Sequence, residues 1–265
     1  KATGNEKLFS GDHVKLFLSD ETFEKFSGND SAPRAHYALD IIYEDENILL
    51  INKPAGMLSQ PADDGTPSLV EYLTGYLLKN GSLTENDLRT FRPSVCNRLD
   101  RNTSGLLLAA KNAHAAHVLS DARADGRLRK AYYAVALGRL EGGGTIDQPI
   151  RIREGSCIAR EVGEGGKPSV THWQALASDG DITLLRVVID TGRTHQIRVH
   201  MAWFGHPLAG DTLYGNDGAR LPRHALHCAE TVFPHPESGA QMQFICPLPE
   251  DIAGLLRQHG LPNPF

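Results

Sequence analysis

The 265-residue chain has few cysteines, and their placement excludes a disulfide scaffold. Cys96, Cys157, Cys228 and Cys246 include no C-x-x-C pair and no framework spacing, so they read as reduced thiols of a cytosolic protein. No apolar run approaches the ~20 residues of a membrane span, and Lys1-Ala2-Thr3-Gly4 does not open a signal peptide. Both absences point to the cytoplasm and away from a membrane partner. An initiating Met is missing as well, which points to a fragment. Metal-ligand spacing is lacking: there is no His-Glu-x-x-His and no Cys–His cluster. His195 and His200, five apart on an expected helix, would lie about 140° apart around its axis. No metal is expected. Nor is there a surplus of positive charge, since 27 Lys and Arg face 32 Asp and Glu for a net of −5, which weighs against nucleic acid.

The distribution of charge says something different. Residues 89–130 hold nine Lys and Arg against three acids, a net of +6 that leaves −11 for the rest. A basic segment in an acidic chain is the footprint of a local phosphate-binding surface, with a solvated helix face as the alternative. A composition of 40% hydrophobic and 22% charged residues is that of a globular protein with a sizeable core.

Along the chain, Gly11 to Leu18 reads as a turn feeding a strand, and Ser27-Gly28-Asn29-Asp30-Ser31-Ala32-Pro33-Arg34 as a linker. The predicted division is 1–26, a linker over 27–37, and a main body over 38–265. The body opens with a hairpin, Ile41–Tyr43 and Ile48–Pro54 around Glu44–Asn47. Ser68 is placed to cap a helix through Leu77 that Gly81 stops, and Asn112 to cap a second one ending near Ala124. Strands are predicted at 130–137, 170–177, 182–189, 225–233 and 242–245, a short helix at 194–204, and a last helix opened by Pro249. Gly142-Gly143-Gly144 and Gly163-Glu164-Gly165-Gly166 read as loop tips, since neither has phosphate-loop spacing. Strands that follow one another through short turns imply an α+β fold: a mixed, mostly antiparallel β-sheet with flanking helices.

Three stretches stand outside core patterning. In Asn97-Arg98-Leu99-Asp100-Arg101-Asn102-Thr103-Ser104-Gly105 a carboxylate lies between two guanidinium groups, ahead of a turn and the apolar 106–110 run. A nearby positive charge favours the ionised carboxylate, which suits a nucleophile; an incidental surface ion pair is the alternative. In 130–138, alternation puts Lys130, Tyr132 and Ala134 on one face and Ala131, Tyr133 and Val135 on the other, so that one Tyr is the inner one. The third stretch, Asp190 to His200, is dense in hydrogen-bond donors.

These residues resemble, in order, the motifs of the RluA-type pseudouridine synthases. Arg98-Leu99-Asp100 with Thr103-Ser104-Gly105-Leu106, Lys130-x-Tyr132-x-Ala134 with Gly138, and Gly192-Arg193-Thr194-His195-Gln196-Ile197-Arg198-Val199-His200 carry the likeness. Gly205-His206-Pro207-Leu208, Gly210-Asp211, Tyr214-Gly215 and Ala225-Leu226-His227 extend it over roughly 38–255. The resemblance implies a central RNA-binding cleft and isomerisation of uridine to pseudouridine in structured RNA, without cofactor. Large-subunit ribosomal RNA is the favoured substrate and transfer RNA the alternative. It implies Asp100 as nucleophile, Tyr132 as the active-site tyrosine and Arg198 as the partner of Asp100. Arg98 is the side chain that helps hold the duplex open. Asn97, Arg101, Thr103, Arg193 and His195 are the further expected RNA contacts. Asn97 departs from the family, which usually has His there. Residues 1–26 resemble the closing part of an S4-like RNA-binding domain. One site built within one chain makes a monomer sufficient. The rival readings are an RNA-binding module of the same fold without turnover, and a His-assisted RNA hydrolase using His195 and His200.

Overall fold

The hairpin expected at the start of the main body forms. β1 (Ile41–Glu44) and β2 (Ile48–Lys53) pair antiparallel, and the Asp45 carboxylate accepts the N–H groups of Asn47 and Ile48 to close the turn. The computed structural model describes residues 37–62, 65–215, 218 and 220–265, with 7, 9–11 and 13 ahead of them. Most of the strand expected from Gly11 to Leu18, and the expected 27–37 linker up to residue 36, lie outside the described residues. The chain divides into two compact units, Lys1–Pro33 and Arg34–Phe265. Every element named below belongs to the second.

Four α-helices are present among the described residues. α1 (Leu69–Lys79) starts at Ser68, whose backbone N–H is taken by the Glu71 carboxylate at 2.6 Å, and Gly81 at φ +77° turns the chain out of it. α2 (Ala113–Ala124) is capped by the Asn112 side chain, which accepts from the Ala115 N–H. α3 (Gln196–Trp203) and α4 (Glu250–Gln258) follow.

The remaining strands are β3 (Ser94–Val95), β4 (Ser104–Ala110), β5 (Arg129–Leu137), β6 (Gly143–Asp147), β9 (Val170–Ser178), β10 (Ile182–Ile189), β11 (Leu226–Pro234) and β12 (Gln241–Ile245). With β1 and β2 they form one sheet in the order β1-β2-β4-β11-β5-β10-β9-β6, β3 joining β4 and β12 joining β11. β7 (Ile150–Ile152) and β8 (Arg160–Val162) make a separate small pair. Among the described residues every pairing between these strands is antiparallel except β4 with β11. This is the α+β fold with a mixed, mostly antiparallel sheet that the sequence implied.

Both faces of the sheet are covered, which explains why β2 and β4 read as unbroken apolar runs. Leu49, Ile51, Leu107 and Ala109 pack under Leu69, Leu73 and Leu77 of α1, while Ile48, Leu50, Leu106, Leu108 and Ala110 share a core with Ala115, Leu119 and Ala122 of α2. The same double cover corrects the expectation of one inner tyrosine. Tyr132 and Tyr133 are both buried, Tyr132 in the core with Leu226 and Ile197, and Tyr133 with Ile252 and Leu256 of α4. A second correction concerns Gly143 and Gly144. They open strand β6, and a Cβ on Gly143 would stand 2.8 Å from the Trp173 carbonyl oxygen, so glycine is required by close strand pairing.

Candidate active site

The Asp100 turn is stapled to the chain that leaves β2. The Lys53 ammonium, wholly buried, donates to the carbonyls of Pro54, Met57 and Arg101 at 2.8, 2.9 and 3.1 Å. Burial is the main force that holds it down to about 7. Ser59 bonds both the carbonyl and the N–H of Leu99, and Arg101 donates its Nε–H to Gly56. Arg101 is thus turned to the loop, although it borders Asp100 in sequence. The buried Arg223 adds a bond to the Asn102 carbonyl and a bidentate pair with Asp251.

Asn97 and Thr103, expected as RNA contacts, also hold this frame together. The Asn97 amide donates to the Leu106 carbonyl and accepts the Leu108 N–H, so it clamps β4 where the family usually has His. Thr103 Oγ1 is hydrogen-bonded to His224 Nε2 at 2.8 Å, and both side chains are buried.

Asp100 keeps 24% of its side chain exposed, and its Oδ2 faces Arg198 Nη1 at 3.4 Å and His195 Nε2 at 3.9 Å. Arg198 makes shorter bonds elsewhere: Nε and Nη2 donate to the two oxygens of Asp211 at 2.7 and 3.0 Å. His195 Nδ1 is hydrogen-bonded to the Tyr214 hydroxyl at 2.8 Å. Its backbone is left-handed at φ 58°, the one non-glycine residue so placed among those described, and for that reason α3 begins at Gln196 and not at Thr194. The Gln196 side chain secures the bend through Thr191, the Arg193 N–H and the Val170 carbonyl. Strain held in this way by surrounding bonds is characteristic of functional sites.

All nine expected site residues border one cleft of about 660 Å³. Asp100, Tyr132, Arg198 and His195 form its interior, and Arg98, Arg101 and Arg193 are exposed around it. Arg193 also donates to the Pro168 carbonyl. Burial raises the Tyr132 phenol well above its ordinary value, so it is neutral at physiological pH. Burial, aided by the charge of Arg198, lowers the His195 imidazole against the opposing pull of Asp100. His200 is buried and bonded to Thr171 and to the Gln148 carbonyl, apart from this chemistry. Lys53, Asp211, Tyr214 and His224 were not singled out from sequence. Asp211 and Tyr214 lay inside recognised motifs, but nothing in their spacing from Arg198 or His195 announces a side-chain bond.

The buried imidazoles make a prediction about stability. Burial depresses His224 to about 3 and His227 to about 4, whereas both return to the ordinary value near 6.5 on unfolding. Because the unfolded chain then binds more protons, their contribution is complete above about pH 6.5 and is lost as pH falls towards the folded values. The melting temperature is expected to fall steadily between about pH 6.5 and 4.5. A flat profile over that range would contradict neutral, buried imidazoles.

The architecture is shared by two solved human structures. Human RNA Pseudouridylate Synthase Domain Containing 4 superposes with a TM-score of 0.68 at 22% identity, over 85% of this chain and 94% of that one. For Human RNA Pseudouridylate Synthase Domain Containing 1 the values are 0.64, 25%, 86% and 97%. The protein therefore has the pseudouridine synthase fold. Sequence takes the assignment further. Residues 47–203 match the RNA pseudouridylate synthase family. The chain is 41% identical over 222 residues to the Bacillus subtilis protein described as an uncharacterized RNA pseudouridine synthase, YjbO, covering 83% of this chain and 76% of the relative. It is 34% identical over 268 residues to Ribosomal large subunit pseudouridine synthase D of Escherichia coli K12, covering 95% and 78%. The chain belongs to the RNA pseudouridylate synthase family and is an RNA pseudouridine synthase, an intramolecular isomerase. Among the described residues, no helix is long and apolar enough to cross a membrane.

Proposed function

We propose that this enzyme isomerises uridines in large-subunit ribosomal RNA with Asp100 as its nucleophile. The observation that carries the reading is the state of Asp100. It is a partly exposed carboxylate inside the cleft, with a guanidinium at 3.4 Å on one oxygen and, among the described residues, no hydrogen bond or ion pair on the other. A carboxylate so placed is positioned by the guanidinium and keeps one oxygen open to attack on a nucleoside. The choice of ribosomal RNA is supported by the relatives of E. coli and of Vibrio parahaemolyticus, both Ribosomal large subunit pseudouridine synthase D. Transfer RNA is the alternative substrate.

The target base has to leave its stack, at a cost of a few kcal/mol that contacts to the rest of the RNA offset. Arg98, Arg101 and Arg193, exposed around the cleft, are suited to the phosphates and to holding the duplex open, and His195 to the nucleotide beside Asp100. Tyr132 is suited to stack on the flipped base. Burial, which disfavours its phenolate, argues against the hydroxyl as the group that takes the carbon-5 proton at neutral pH, and leaves it to donate a hydrogen bond. Residues 1–26 are read, on resemblance alone, as the close of an S4-like RNA-binding domain joined by the 27–37 linker. A cytoplasmic monomer completes the reading.

Tyr132→Phe is expected to leave RNA affinity unchanged and to slow turnover about fivefold, the worth of one neutral hydrogen bond. Tyr133→Phe, on the far face of the sheet and bonded to Glu230, leaves the rate unchanged. Single-turnover tritium release from RNA labelled at carbon 5 of uridine measures both. Total loss of turnover in Tyr132→Phe would restore the hydroxyl as the proton acceptor. Mapping pseudouridines in ribosomal and transfer RNA from a strain lacking the gene tests the substrate, and loss confined to transfer RNA would overturn the ribosomal assignment.

A further inference from the structure

Arg198 is oriented by Asp211 more firmly than by Asp100. The guanidinium presents its Nε–Nη2 edge to both Asp211 oxygens at 2.7 and 3.0 Å, the two-bond geometry in which arginine binds carboxylate most strongly. Only Nη1 is left for Asp100, at 3.4 Å. Asp211 cannot follow if Arg198 moves. Its side chain is 1% exposed, Oδ1 also accepts the N–H groups of Leu213 and Tyr214, its own N–H goes to Leu208 and its carbonyl accepts from Gly215. The preceding Gly210, at φ +74°, lies so close to the segment ahead of β11 that a Cβ would meet the Arg223 carbonyl oxygen at 2.1 Å. The Tyr214 ring lies 5.0 Å from the guanidinium carbon and limits its rotation.

We propose that Asp211 is a positioning residue: it holds Arg198 side-on so that the guanidinium meets Asp100 through one amino group and leaves the second oxygen of the nucleophile uncovered. The inference rests on the reading of Asp100 as nucleophile. Without Asp211, Arg198 is free to turn its fork onto Asp100. A carboxylate held by two short charge-assisted bonds has its lone pairs engaged and attacks poorly. One guanidinium shared by two carboxylates keeps Asp100 in place without covering it. The other ionisable groups that sense Asp100 are Lys53, Tyr132, His195 and Tyr214, and none of them holds both of its oxygens.

The test compares Asp211→Asn with the unaltered enzyme in single-turnover tritium release, RNA dissociation constant and thermal melting. The expected result is a rate lower by at least about tenfold, an RNA dissociation constant within about threefold, and a cooperative melt. Arg198→Lys supplies the second arm. An ammonium has no fork to orient, so adding Asp211→Asn to it is expected to slow the enzyme by less than about threefold more. Where both of those variants fall below detection, the split between rate and binding in the single variant decides alone. A rate within about twofold of the unaltered enzyme, full additivity with Arg198→Lys, or loss of the cooperative melt would overturn the proposal. Asp100→Asn run in parallel keeps the two readings apart. Turnover by that variant removes Asp100 as nucleophile, whereas a dead Asp100→Asn beside a normal Asp211→Asn removes only the role given to Asp211.

Discussion

Asp100→Asn is expected to reduce pseudouridine formation by about 10⁴-fold or more while RNA affinity stays within about threefold. The amide keeps the shape of the carboxylate and can still accept the long bond from Arg198 Nη1, but it has neither the charge nor the basicity of a nucleophile. Removing one member of a buried ion pair usually strands the other and costs several kcal/mol in stability. That penalty is avoided here, because Arg198 retains its two short bonds to Asp211. The loss therefore falls on the chemical step and not on the fold. Tritium release and an RNA-binding titration on the same preparation check both halves, and appreciable turnover would remove Asp100 from the mechanism.

Gly105→Ala is expected to be severely damaging to stability. Gly105 has φ +115°, and a Cβ there would stand 2.2 Å from the Cys228 carbonyl oxygen across the parallel β4–β11 pairing. The atoms it meets belong to the Cys228 backbone in the middle of the sheet, so no side chain can give way. The forced backbone angle and the overlap together cost about 3–5 kcal/mol. For a chain of this size that corresponds to a melting temperature lower by about 10 °C. The clash also reaches the site, since Ser104 is bonded to His227 and Thr103 to His224 immediately before Gly105. A shift of less than about 3 °C in thermal melting would show that β4 and β11 separate more easily than their contacts suggest.

Local signals carried most of the secondary structure. Ser68, Gly81 and Asn112 mark helix ends through bonds and backbone angles made within a few residues. Alternation in 130–137 correctly separated Tyr132 from Tyr133. It could not say that both would be buried, because period two assigns a side chain to a face but is silent on what covers that face. The helix expected from Thr194 begins two residues later, because the left-handed His195 is held by tertiary bonds that leave no trace in its neighbours.

The sequence alone determined the order of the helices and long strands, the α+β class and, through its ordered motifs, the family and the residues around the cleft. These depend on short-range periodicity, capping and recurrent strings, all of which are written in consecutive residues. Only the tertiary structure decided which charges meet. Asp100 and Arg198 stand nearly a hundred positions apart, yet the competing Asp211 takes the shorter bonds, while Lys53 anchors the turn from below and Asn97 and Thr103 are drawn into the frame. The β4–β11–β5 order sets these meetings. A hydrogen bond is sensitive to tenths of an ångström, whereas sequence spacing says nothing about distance once the chain has turned back on itself.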